Sequence, residues 1–396
     1  MSAQPAPSTH HPLLRHRDGH HAKVTYEELF FDLVYVFAVT QISHALLHHL
    51  TPLGALEALI LWFGVWLGWQ YTAWLTNWFD PETPRIRFVL FASMLAALGT
   101  SAATPHAFAE TGLVFAGCYV AIQFGRTAFI VRELGPDHVL APNYRRMMAW
   151  LGIAGCFWIA GGFVEHGARI ALWAAAVLCE YISPMIGFRL PFMGRSYTRE
   201  WTIDGGHLAE RCQLIVIIAL GETLLATGAT LADTPHWDAA MLSATLATFF
   251  GTLALWWLYF GTSSKDATDV ITRSDDPGRI GARFHYIHAV LIFGIIVSAV
   301  GNDLAMEHPD GHATLAQLLV IVVGPAIYLL GSAIYKRMVY GRVPLSHIVG
   351  ALLLAASAPV GLAANLMVMG WLTTAILFAI GLWDSRAPLC RDLRPG

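Results

Sequence analysis

The chain has 396 residues, of which 56% are hydrophobic and only 13% charged, with a formal net charge of −3. Ordinary soluble domains carry roughly 45–50% apolar and about 25% charged residues, so a water-soluble core cannot absorb this much apolar surface. The near-neutral balance gives no reason to expect nucleic-acid binding, and five cysteines without CxxC or metal spacing argue against a disulfide framework.

In chain order, residues 1–23 come first, rich in Pro and His and lacking an apolar segment, which argues against a cleaved signal peptide and predicts a disordered tail. Its His10, His11, His16, His20 and His21 offer at most a weak metal site. Beyond the tail, nearly uncharged stretches recur at the length a helix needs to cross about 30 Å of hydrocarbon. They run from Phe30 to His49, Leu56 to Phe79, Phe88 to Ala107, Leu113 to Val131, Met147 to Val164 and Ile170 to Phe188. The series continues with Leu208 to Leu231, Ala240 to Thr262, Tyr286 to Gly301, Leu315 to Tyr335, His347 to Val368 and Trp371 to Trp383. The expectation is an all-α membrane protein of about twelve transmembrane helices, with the lipid bilayer as its surroundings. The tryptophans of the second span (Trp62, Trp66, Trp69, Trp74 and Trp78) read as interfacial, lipid-facing anchors. Gly155, Gly161 and Gly162 read as points of close helix approach.

Lys and Arg are enriched in cytoplasmic loops near helix ends. Of the 24 basic residues, 21 fall on one side when alternate connections are counted: the amino-terminal tail, the even-numbered loops, and the carboxyl end, Arg386 with the tail 387–396. The odd-numbered loops contribute only Arg169, while Arg126 and Arg211 lie inside helices. This parity places both termini in the cytoplasm.

The halves resemble each other. "ELFFDLVYVFAVTQ" from Glu28 overlies "ERCQLIVIIALGET" from Glu210 at an offset of 182; Phe63, Gly64 and Trp69 overlie Phe250, Gly251 and Trp256 at 187; "AIQFGRTAFIVR" from Ala121 overlies "AIYLLGSAIYKR" from Ala326 at 205. Smoothly rising offsets are what loop insertions into a duplicated unit produce. Six helices per unit, an even number, give two parallel six-helix repeats, residues 24–190 and 200–386, related by an axis along the membrane normal.

Ionisable groups inside apolar helices carry the functional information, because a mid-membrane charge costs about 2.5–3.5 kcal/mol even on insertion scales. The first span supplies Glu28 and Asp32, four residues apart on one face, with His44 about three turns further. The seventh supplies His207, Glu210, Arg211 and the deep Glu222, and Arg211 is placed to pair with a carboxylate. Arg126 lies in the fourth span, Glu180 one turn before Pro184 in the sixth, and His285 and His288 begin the ninth at i, i+3 spacing.

Three stretches, "YEELFFDLVYVFAVTQISH" from Tyr26, "HLAERCQLIVIIALGETLL" from His207 and "HYIHAVLIFGIIVSAVGND" from His285, resemble the bacterial low temperature requirement A family. The likeness covers residues from about 22 to 385 and marks Glu28, Phe31, Asp32, His207, Glu210, Arg211, Gly221, Glu222 and His288 as matching positions; Asp303 departs from the pattern, which leads one to expect glutamate there. The resemblance implies a multipass protein of the bacterial inner membrane. It supplies no reaction or substrate.

Several readings of these groups stand side by side. Glu28, Asp32, Glu210 and Arg211 form a structural ion pair or snorkel from helix ends; or the carboxylates and histidines line a pathway for protons or a cation coupled to a small solute; or they hold a metal. The corresponding functions are a secondary transporter, an intramembrane enzyme acting on a lipid with His207 and Glu210 as acid–base groups, or a non-catalytic membrane component in cold adaptation. The longest loops, about 20 residues, leave no room for a soluble catalytic domain.

Overall fold

The computed structural model describes residues 11–17, 22–311 and 313–386, without the side chains of Ser264 and Lys265. His10, His20 and His21 of the tail and the carboxyl segment 387–396 lie outside the described residues. The described chain is nearly all helix and contains no strand. Eleven of its helices are long and apolar enough to cross a membrane, and a shorter apolar one, Leu345–Gly361, makes about twelve spans. Large apolar side chains such as Phe88, Leu95 and Leu225 stand largely exposed, as a lipid-facing surface requires.

The order is α1 (Tyr26–His48), α2 (Pro52–Trp78), α3 (Pro84–Ala103), α4 (Gly112–Val120), α5 (Arg126–Leu134), α6 (Ala141–Phe163) and α7 (His166–Met185). A π turn, Ala121–Gly125, joins α4 and α5 into one span. Then come α8 (Gly205–Asp233), α9 (Ala239–Phe260), the short α10 (Ser264–Thr272), α11 (Pro277–Glu307), α12 (Leu315–Tyr340), α13 (Leu345–Gly361) and α14 (Leu366–Arg386).

Caps explain where the boundaries differ from the hydropathy reading. α11 begins nine residues before Tyr286, because Asp276 accepts the Arg279 amide at 3.0 Å and Pro277 occupies the first turn. At 31 residues it is about 46 Å long, longer than the hydrocarbon core, so its ends stand in the polar layers. The span expected to continue to Val368 stops at Gly361, just after Pro359, and Asn365 starts α14 by accepting the Val368 amide at 2.9 Å.

In the first six spans α1 adjoins α2 and α3, α3 adjoins α4, α4 adjoins α6, α6 adjoins α7 and α2 adjoins α7. In the last six, α8 adjoins α9 and α11, α11 adjoins α12, α12 adjoins α13, α13 adjoins α14 and α9 adjoins α14. Between the sets, α1 and α2 meet α8 and α11. The tightest seam is α11 on α12, where a Cβ on Gly324 would lie 2.5 Å from the Ser298 backbone nitrogen and one on Gly294 would lie 2.6 Å from that of Tyr328. Small residues let these backbones meet, as membrane helix packing demands.

Two expectations need correcting. The tryptophans of α2 are not lipid-facing anchors, since Trp62, Trp66, Trp69, Trp74 and Trp78 are all buried. Most of helix α2 is buried, and its aromatic rings fill the interior. The tail is also not loose throughout: Leu13 is buried, Leu14 pairs with Phe79, and the Arg15 amide donates to Trp78 O at 2.9 Å, so residues 11–17 close over the end of α2.

Arg169, the basic residue that breaks the loop parity, is buried and donates to Gly161 O, Val164 O, Ala107 O and Ala109 O at 2.6–3.1 Å. It satisfies helix-end carbonyls that have no intrahelical partner.

Candidate functional site

The site begins with the entry of α1. Thr25 and Glu28 form a capping box, the Thr25 amide donating to Glu28 Oε2 at 2.9 Å. The carboxylate is thereby held at the start of the helix. Across from it Asp204 caps α8 by accepting the His207 amide at 3.0 Å, and its other oxygen accepts the Ala22 amide at 2.8 Å. The two helix starts are tied together.

Arg211 then bridges them. Its Nε and Nη2 donate to Asp32 Oδ2 and Oδ1 at 3.1 and 2.5 Å, a bidentate pair, while Nη1 donates to Glu28 Oε1 at 2.9 Å and Thr76 Oγ1 at 3.1 Å. The Trp69 indole N–H donates to Asp32 Oδ1 at 2.6 Å. Arg15 reaches in from the amino-terminal segment, donating to Glu28 Oε2 at 2.7 Å and Thr76 O at 2.6 Å.

His207 completes the group. Asn77 Oδ1 accepts the Asp204 amide at 2.9 Å, which orients its Nδ2 toward Asp204 O at 2.8 Å and His207 Nδ1 at 3.0 Å. With Nδ1 accepting, the neutral imidazole carries its proton on Nε2, which donates to Glu28 Oε1 at 2.9 Å. Two guanidinium groups thus face two carboxylates. Glu28, Asp32, His207 and Arg211 are all buried.

The separation in sequence between contacting residues of α1 and α8 is 179 for Glu28 with His207 and Asp32 with Arg211, 183 for Glu28 with Arg211, and 182 for Thr40 with Glu222. A near-constant difference means that the helices run parallel and in register. Thr40 Oγ1 donates to Glu222 Oε1 at 2.5 Å. Both line a small cavity between α1, α8 and α11, together with His44, Asp303, Ser43 and Thr223. From Asp32 to Thr40 is about 12 Å along α1, and the turns between carry the buried, mostly apolar Tyr35, Val36, Ile215 and Val216.

The other candidates fall elsewhere. Arg126 and Glu180 do not touch; Gln123, positioned by the π turn, lies between them, accepting from Arg126 Nη2 at 2.7 Å and donating to Glu180 Oε2 at 2.8 Å. Tyr119 and Trp158 also donate to Glu180, at 2.7 and 2.8 Å, and Arg126 reaches Thr72 Oγ1 at 2.5 Å. His285 and His288 do not converge on one point: Trp74 Nε1 donates to His285 Nδ1 at 3.2 Å, whereas His288 Nε2 meets the Tyr259 hydroxyl at 2.7 Å. Glu210 is half-buried and makes none of the contacts of the Arg211 cluster. No group of three or more His, Cys, Asp or Glu able to hold a metal occurs among the described residues.

Sequence reading missed Arg15, Asn77, Trp69 and Gln123 as partners. Thr25-x-x-Glu28 and Asp204 before α8 were visible signals, being capping patterns. It also missed a buried group at the ends of α12, α13 and α14, where Asp384 accepts from Lys336 and Ser346, and Lys336 also donates to Thr262 Oγ1 at 2.8 Å. Lys336 was counted as a loop residue and is in fact buried.

Residues 23–382 match the family described as bacterial low temperature requirement A protein. The chain is 34% identical to an uncharacterized protein of Rhizobium meliloti (strain 1021) over 374 residues, 94% of this chain and 91% of that one. No solved structure matches.

Proposed function

The chain belongs to the bacterial low temperature requirement A protein family, and from that premise we propose that it is an inner-membrane protein, both termini cytoplasmic, acting as a proton- or cation-coupled secondary transporter of a small solute. One observation carries this reading. The α1–α8 seam holds two polar stations, the Glu28–Asp32–Arg211 cluster at the helix starts and the Glu222–Asp303 cavity further out, with a buried layer between them. A carboxylate in a cavity at membrane depth is a carrier for a cation or proton, because there it needs a partner or a bound ion. The paired cluster is then the closed cytoplasmic gate. Support for two six-helix repeats comes from the matching order of neighbours and the parallel α1–α8 register. Thr40 and Glu222, equivalent at the offset of 182, meet on this seam.

Purified protein in liposomes containing a pH-sensitive dye tests the reading. The expected result is dissipation of an imposed proton or sodium gradient, reduced at least about tenfold by Glu222→Gln, which keeps size and hydrogen bonding but removes the charge. Unchanged flux in that variant, or no flux in the wild type with any solute of a broad panel, overturns it.

One specific observation favours a structural role for the inner cluster. Both carboxylates are fully bonded, buried and charge-balanced, as a clasp between the halves would be. His207, with both ring nitrogens engaged and no exposure, is poorly placed as the acid–base group of a lipid-processing enzyme.

A further inference from the structure

Between α7 and α8 the chain forms a small hairpin. Leu190 pairs with Gly194, and the Ser196 amide donates to Gly187 O at 2.8 Å, which closes the base. Gly187 and Gly194 take left-handed φ values of +66° and +72°, as glycine does without strain. Phe188 and Phe192 take them too, at +51° and +63°, where a bulky side chain is costly. Phe188 is compensated by packing, being buried with its ring centroid 6.1 Å from that of Trp201. Phe192 is fully exposed. A strained aromatic side chain that the fold holds outward points to a use at that position.

The tip does not hang free in water. The buried Arg146 of α6 donates through Nη1 to Met193 O at 2.9 Å and through Nη2 to Ser196 Oγ at 2.7 Å. The next residue, Met147, opens the apolar stretch of that span. The tip therefore lies within one side chain's length of the apolar edge of the bundle, the depth at which aromatic rings settle among lipid headgroups. Exposed apolar side chains lead to it along the chain, from Ile182, Met185 and Ile186 to Phe192 and Met193. The flanking charge is of one sign. Arg189 and Arg195 stand exposed on the two arms, and no Asp or Glu occurs between Glu180 and Glu200.

We propose that this hairpin docks on anionic phospholipid: Phe192 enters the headgroup layer of the adjoining leaflet, and Arg189 and Arg195 pair with the phosphates around it. Burial of an apolar ring together with attraction of basic side chains is how surface segments hold anionic lipid. The depth of the tip selects a lipid partner over a soluble one. The inference goes beyond transport and does not depend on it.

Phe192→Cys carrying the environment-sensitive dye NBD, in the purified full chain in nanodiscs, tests the proposal, with identically treated wild type as the blank for the native cysteines. In discs of phosphatidylcholine with increasing phosphatidylglycerol, the emission is expected to shift to the blue as the tip leaves water. Combining Arg189→Gln and Arg195→Gln is expected to raise the phosphatidylglycerol fraction at half-shift at least about fivefold, the weight of one basic side chain at an anionic surface, or to abolish the shift. Arg85→Gln, at an exposed ion pair outside the hairpin, should leave it unchanged. Phe192→Gly, which suits the left-handed backbone, is expected to unfold in detergent no lower than wild type. Emission at the position of water in every disc overturns the proposal and assigns the tip to a soluble partner. So does a shift equal in pure phosphatidylcholine and in the mixtures, a shift indifferent to the two arginines, or a lowered midpoint for Phe192→Gly.

Discussion

Thr40 and Glu222 are hydrogen-bonded to each other at 2.5 Å and stand 182 residues apart, the same interval that lays the first acidic motif over the second. Side by side on parallel helices, they connect the sequence likeness of the halves to a place in space. The ion-paired cluster lies on the same seam, so changes along it separate a gate from a clasp.

Arg211→Leu leaves Glu28 and Asp32 facing each other with one cation fewer. Breaking a buried pair by removing one partner costs about 3–5 kcal/mol, so a large fall in thermal midpoint is expected. Adding Asp32→Leu should restore part of it, because the orphaned charge goes too. A double-mutant cycle on purified protein measures the coupling, and strictly additive losses would contradict the geometry.

Arg15 was assigned to a loose tail, yet it bonds Glu28 at 2.7 Å. Arg15→Ala is expected to destabilise by about 1.5–3 kcal/mol, the range for hydrogen bonds to charged groups. Arg85→Ala, whose partner Glu133 lies in a half-open pair, should cost under about 1 kcal/mol. Thermal unfolding in detergent compares the two.

The interior position of the α2 tryptophans makes a separate prediction. Trp66→Ala removes a side chain only 1% exposed and should cost about 3–5 kcal/mol. Leu95→Ala, at 72% exposure, should cost within about 0.5 kcal/mol. Similar losses for the two would return α2 to the lipid-facing surface.

Gly324→Leu drives a side chain into the α11 backbone at Ser298. Overpacking costs typically 1–3 kcal/mol, occasionally more, and here the obstacle is main chain that cannot turn aside. Aggregated or poorly expressed protein is expected on size-exclusion chromatography. Gly125→Leu, with open space at its Cβ, should remain monodisperse.

Much of the candidate site was legible because its chemistry is local. Glu28 with Asp32 and His207 with Arg211 are four residues apart on their helices, so each pair shares a face, and an Arg among carboxylates in hydrocarbon must pair. The partners that came from far away were not legible. Asn77, Trp69 and Arg15 belong to segments whose positions depend on how α2 and the amino-terminal segment pack, and no periodicity encodes that. Arg126 and Glu180 were each legible as buried ionisable groups, but not the Gln123 that a π turn sets between them.

The sequence by itself determined that this chain is a bundle of about twelve apolar helices of a known family. Helix length against bilayer thickness is a local property, and the motif residues are read in order along the chain. Only the tertiary structure decided which charges meet and that α2 and its tryptophans are interior. In a bilayer, apolar residues suit lipid and protein interior almost equally, so hydropathy marks the helices but not their inward faces.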